Sequence, residues 1–254
     1  TLRLIELFKE SGTVDELGIG SIRDTFADAF FPGTSVLQTR ARYLLFIPWL
    51  LERTVHQSRN AASASERLRA HEVGLIDALL AGGESEGVIG RDAKASLKRM
   101  PSAVYDPALR RFGIRTTGST LDQFFRDAAT TAERRRHLPD ADDDGLAARP
   151  TTPGLDPELA VSCPPPADLL TATTFQLTPS EASYLRDRIV RAVPGSLIAW
   201  LLANEARADV SHLWQHPDLS RFPAHLRDLA DHARRFHHAT HGAALLYNLM
   251  LAEK

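Results

Sequence analysis

A single cysteine in 254 residues, Cys163, excludes an internal disulfide, a zinc ribbon and a redox pair. Long apolar runs are lacking too. YLLFIPWLL and SLIAWLLA fall short of the ~18 residues a membrane span requires, so no membrane partner is expected. No basic stretch followed by an apolar core opens the chain, which points to a cytoplasmic protein. Nor is there an excess of one charge. With Lys+Arg 30 against Asp+Glu 32 the formal net charge is −2, so attraction to nucleic acid has to come from a local patch. At 43% hydrophobic and 24% charged the chain is nonetheless ordinary globular material. It starts at Thr1 without a methionine and stops at LLYNLMLAEK, in mid-helix by its pattern, so flanking sequence is expected on either side.

Catalytic signatures are missing as well. There is no Gly-X-Ser-X-Gly elbow, no Cys-His pairing and no phosphate-cradling glycine loop. Gly18-Ile19-Gly20 runs into Ser21-Ile22-Arg23, which fails the dinucleotide fingerprint. Asp15, Glu16, Asp24 and Asp28 lie near the start of an expected helix, where they complement its dipole and face water. Seven histidines crowd the end of the chain: His212, His216, His225, His232, His237, His238 and His241. His237 and His241, four apart, share a helix face as metal-binding pairs do, but HHATH lacks the glutamate of the zinc-peptidase pattern. Neither a metal nor another cofactor is expected, and no catalytic residue is identified.

What is present is helical periodicity. Thr13 and Glu16 have capping-box spacing, and Ile19, Ile22, Phe26 and Phe30 predict a helix over about 14–30 that ends at Pro32-Gly33. A second helix, capped by Thr34 or Ser35, is expected to pack Leu37, Tyr43, Leu44, Ile47 and Leu51 inward and to kink at Pro48. Further helices are expected over 64–80, 91–100, 102–112 and 119–136, and the pair meeting at Pro101 allows a helix-turn-helix-like arrangement. Thr178-Pro179-Ser180-Glu181 reads as a capped helix start, and a long helix is expected over about 223–251. The fold class is therefore all-α. Residues 1–136 form a helical part, 137–172 a Pro- and Asp-rich linker holding Cys163, and 173–254 a second helical part.

Charge is distributed unevenly. Between Arg91 and Arg136 stand eleven basic against five acidic side chains, a local excess of six. On short helices this segment sets Lys94, Lys98, Arg110, Arg111 and Arg115 along phosphates as candidate nucleic-acid contacts, the alternative being a solvated face or pairing with Asp140–Asp144. Arg40 and Arg42 sit instead among apolar neighbours. A structural role is favoured there over anion binding, with one of them paired to Asp24 or Asp28 across the hairpin.

ELGIGSIRDTFADAFFPGTSVLQTRARYLLFIPWLLER, GVIGRDAKASLKRMPSAVYDPALRRFGI, LTPSEASYLRDRI and THGAALLYNLMLAE together resemble an uncharacterised bacterial family, domain of unknown function number 6361. The resemblance covers most of the chain outside the linker and carries no known activity. It implies, by association with helicase and phospholipase-D-like genes in phage-defence clusters, a non-enzymatic subunit of a DNA-directed complex with DNA or a helicase or nuclease as partner. The alternatives are a metal-dependent enzyme built on His237 and His241, a nuclease with an unrecognised site, and an assembly subunit in which Arg40, Arg42, Trp49 and Tyr247 serve packing and partner contact.

Overall fold

The computed structural model describes residues 18–58, 60–137 and 151–253, apart from the side chains of 132 and 135–137. The opening segment, Thr13, Asp15 and Glu16, and the acidic run Asp140–Asp144 lie outside them. Nine α-helices and three 3₁₀ turns make up the described residues, whose only ladder contact is an isolated antiparallel bridge between Arg115 and Leu155. The all-α expectation holds.

The chain divides into two compact units, one of residues 33–204 and one that joins α1 (Ile19–Phe30) to residues from 205 onward. In the first, α2 (Tyr43–Gln57) is the central element. Every residue from Tyr43 to Leu51 is buried, Pro48 included, because a helix apolar all round is stable only when surrounded. It is flanked by α3 (Ala61–Ala81), α4 (Pro101–Arg111) and α5 (Leu121–His137). Tyr43 packs on Tyr105 and Phe46 on Trp49, with ring centroids 5.1 and 5.9 Å apart.

Helix α2 begins later than its periodicity suggested. Residues 34–42 form turns, Val36 is fully exposed and Leu37 about half so; neither belongs to the core. The reason is tertiary. The phenol oxygen of Tyr105 accepts the amides of Thr39 (2.8 Å) and Arg40 (3.0 Å) and donates to the Arg40 carbonyl, holding this stretch out of the helix. Residues 91–100 likewise contain one 3₁₀ turn, Lys94–Ser96, where a helix was expected. Arg69 from α3 donates to the Ala95 and Leu97 carbonyls at 2.8 and 2.9 Å, fixing the segment as turns. The helix-turn-helix-like arrangement thus has only its second helix, α4.

Residues 151–172, expected as linker, are largely folded. Helix α6 (Pro157–Ser162) starts on Asp156, whose side chain accepts the Glu158 amide, and Leu155, Leu159 and Cys163 project into the core at a spacing of four. Against it pack α7 (Pro179–Ala192) and then α8 (Leu197–Ala203), through Tyr184, Leu185 and Ile189. This packing is why the compact units draw on stretches other than those the composition marked off. Helix α7 opens on the capping box read from its sequence: Thr178 Oγ1 accepts the Glu181 amide and Glu181 Oε2 accepts the Thr178 amide.

One close approach yields a test. Gly82, after α3, has an ordinary φ of −76°, yet a Cβ there would lie 1.9 Å from the Thr173 carbonyl oxygen, whose own amide donates to Ala78. Gly82→Ala is expected to cost about 2 kcal/mol by forcing that backbone away. A thermal melt identical to wild type would contradict the contact.

In the second unit, α9 (Ala224–Ala252) packs against α1 and the 3₁₀ turn Leu213–Gln215. Phe26 and Phe236 meet at 5.8 Å, and Phe222, Leu226 and Ala230 are buried. The last third of α9, from His241 onward, is exposed on every side.

Candidate nucleic-acid interface

Helix α4 carries the centre of the basic segment, and its position is set from outside. Its first turn has Pro101 but no side-chain cap of its own at Met100. The cap comes from α3: the carboxylate of Glu72, 1% exposed, accepts the Ser102 amide at 2.7 Å. Burial pushes this carboxyl up to about 7, against the lowering effect of the Ser102 hydrogen bonds and of Arg69. On the other side, Gln38 donates to the Val104 carbonyl at 3.2 Å. Gly33, with a left-handed φ of 79°, lets its own backbone lie on α4, since a Cβ there would fall 2.6 Å from that of Arg111. Gly33 thus lies directly against α4.

The five candidate contacts are not equivalent. Lys94 is engaged by Asp77 at 2.8 Å, both side chains being half exposed. Arg110 is half exposed and pairs with Asp106 at 2.8 Å, one turn away, while donating to the Gly118 carbonyl. Arg115 is no surface cation at all. Its side chain is 0% exposed, pairs with the other oxygen of Asp106, donates to the Ser119 carbonyl and lies 6.0 Å from the centre of the Phe124 ring. The apolar neighbours Ile114 and Phe112 draw it inward, and a buried guanidinium is retained only with such partners. It is withdrawn as a phosphate contact. Lys98 and Arg111 remain exposed with no ion pair among the described residues, and Arg99 beside Lys98 is equally free.

The two arginines of the TRAR step differ as sharply. Arg42 is buried and binds Glu181 at 2.8 Å and the Thr174 carbonyl at 2.7 Å, over the face of Phe46 at 5.3 Å. Its partner is therefore a helix-capping glutamate 139 residues on, and not Asp24 or Asp28; Asp24 pairs with Arg23. Burial and these two acceptors suit a structural role, while Nε lacks a partner. Arg40 is exposed, over the Phe175 ring at 5.8 Å and beside Gly87, where a Cβ would come within 2.9 Å of its guanidinium carbon. It keeps donors available to an anion.

Sequence reasoning missed a second buried polar group. Tyr184 donates to Asp156 at 2.8 Å, and Arg188 lies 3.4 Å from the same carboxylate while donating to the Gly113 carbonyl. Burial, then the Asp156 carboxylate, raise the Tyr184 phenol far above its ordinary range. It ties α6 and α7 to the turn after α4. Its signal was Asp156-Pro157, a cap followed by a first-turn proline. Cys163 is also core: its carbonyl accepts the Trp49 indole at 2.8 Å, and burial pushes its thiol up to about 11, which keeps it protonated and unreactive near neutrality.

In the second unit the rings of His212, His237, His238 and His241 gather around Trp214 and one another. Trp214 stacks on His212 at 4.7 Å, and His237 has the rings of His212 and His241 at 5.0 and 5.3 Å. Desolvation and then the neighbouring imidazoles hold His237 below its ordinary range. No group of three or more His, Cys, Asp or Glu able to hold a metal ion occurs among the described residues. An open hollow of about 320 Å³ lined by Arg186, Asp187, Val190, Arg191 and Ala203 lacks converging donors, Arg186 being paired with Asp187. No helix is long and apolar enough to cross a membrane among the described residues.

The chain belongs to a family of unknown function, DUF6361, which matches residues 1–143 and 154–254. No curated protein and no solved structure matches it.

Proposed function

We propose that this protein is a non-enzymatic subunit of a bacterial DNA-directed complex, acting in anti-phage defence, that touches nucleic acid through Lys98, Arg99 and Arg111, with Arg110 beside Arg111 in sequence and the exposed Arg40 as a further cation. The observation that carries the reading is that Lys98, Arg99 and Arg111 are exposed and outside any ion pair among the described residues, once the buried Arg115 and the paired Lys94 and Arg110 of this basic segment are set aside. They stand on backbone fixed by Glu72, Arg69 and Gly33, so the charges are presented on a rigid frame. Contacts of this kind neutralise phosphates without reading sequence.

Fluorescence anisotropy with labelled single- and double-stranded DNA tests this. Three phosphate contacts give a slope of log K against log salt of roughly −3. The triple variant Lys98→Ala, Arg99→Ala, Arg111→Ala is expected to bind at least about tenfold more weakly at low salt, a change of ~1.4 kcal/mol. Absence of binding by the wild type at low salt sinks the proposal. A second reading, an assembly subunit, is favoured by the exposed apolar end of α9.

A further inference from the structure

Helix α9 ends in HGAALLYNLMLA. Leu245, Leu246, Tyr247, Leu249, Met250 and Leu251 are all more than half exposed. At 3.6 residues per turn these six and the alanines at 243, 244 and 252 cover the whole circumference, with Asn248 the one polar side chain, and no charged side chain lies between Gly242 and Ala252. A helix apolar on all faces is stable when surrounded, as α2 is; this one has no cover among the described residues. On the same unit, α1 exposes a second apolar pair one turn apart, Ile19 and Ile22.

We propose that the C-terminal third of α9 is a two-fold interface with a second copy of this chain. Area is the first argument. With full side-chain surfaces near ~200 Å², the six exposed residues present on the order of 700 Å², more than the apolar patch of a typical monomer and close to the ~800 Å² each partner contributes to a stable complex. Chemistry is the second. With no charge over this stretch, a charged partner surface finds nothing to pair with, whereas an identical helix is apolar where this one is apolar. The third argument is geometric. Ala244, Asn248 and Ala252 recur at a spacing of four, so they form one line on which small side chains let two helix backbones come close. Antiparallel crossing at Asn248 sets its amide against that of the partner, satisfying donor and acceptor in an otherwise apolar seam and fixing the register. Leu245 and Leu251 flank that seam. The faces turned away from it meet the partner's α1, whose Ile19 and Ile22 await a cover, which accounts for apolarity all round where a simple two-helix seam needs one stripe.

Sedimentation velocity over a range from low to high micromolar concentration tests the proposal. The wild type is expected to approach twice the 28.0 kDa of one chain and stop there. Leu245→Glu with Leu251→Glu, both at exposed positions, is expected to stay monomeric at every concentration with unchanged helical circular dichroism. Asn248→Cys is expected to form an interchain disulfide on mild oxidation, because residues on the axis come within the ~4.4–6.8 Å between Cα atoms that a disulfide spans. Ala243→Cys, on the opposite face, is expected to remain free. A wild type that is monomeric throughout, a mass that rises past the dimer, a double variant that still pairs, or equal crosslinking at 243 and 248 would each overturn the arrangement. DNA binding plays no part in these readouts, so failure here leaves the functional proposal to its own test.

Discussion

Arg42→Ala is expected to destabilise the protein by about 3–5 kcal/mol, and Arg111→Ala by no more than about 0.5 kcal/mol. The two differ only in surroundings. Removing Arg42 strands Glu181 as a buried carboxylate, its remaining partner being the Thr178 amide, and takes the donor from the Thr174 carbonyl. The loss therefore reaches the first turn of α7, since Glu181 is both the ion partner and the capping-box residue. Arg111 has only its stem against the Gly33 corner and its head in water. Urea denaturation of both variants reads the difference. If Arg42→Ala and Arg111→Ala share a midpoint, the buried pair contributes nothing and the α2–α7 tie is misassigned. A double replacement, Arg42→Met with Glu181→Gln, is expected to recover much of the loss, because no uncompensated charge is then left inside.

What could be read from the sequence was what is local. The start of α7 depends on four adjacent residues, Thr178 to Glu181, and it appears as expected, as do α3, α5 and α9 within a few residues. Features decided by distant partners were not legible. Arg42 was recognisable as an arginine in need of a carboxylate, but the carboxylate lies 139 residues away, and nothing in the intervening chain points to it. Residues 91–100 have helical composition, yet Arg69 holds two of their carbonyls and overrides it. The linker reading of 151–172 followed the prolines and overlooked Leu155, Leu159 and Cys163 at helical spacing. For the candidate interface, charge count found the segment but not the sorting within it. Arg115 and Lys98 carry the same charge and look alike in sequence; only burial separates a structural guanidinium from a free ammonium.

Replacing Glu72 by glutamine is expected to raise stability at alkaline pH and to leave it nearly unchanged at acid pH. The carboxyl stands at about 7 in the folded protein against 4.5 when unfolded, so between those values the folded state binds more protons than the unfolded one. Stability from this group is therefore full below about 4.5 and is lost as pH rises towards 7, at about 1.4 kcal/mol per unit and about 3 kcal/mol in all. The sign is opposite to that of an ion-paired carboxylate because Glu72 is buried, with Tyr43 near it, and Arg69 is too weak a counterion to offset desolvation. Glutamine keeps the carbonyl that accepts the Ser102 amide, so the cap of α4 survives while the titration disappears. Urea midpoints of both proteins at pH 5 and pH 8 isolate the effect, since every other titrating group is common to the two. A wild type whose advantage over Glu72→Gln grows with pH would mean that the ionised carboxylate is stabilised by the N-terminus of α4 more than burial penalises it. In that case the frame behind Arg110 and Arg111 is held by a charge, and not by a neutral acid that weakens as it ionises.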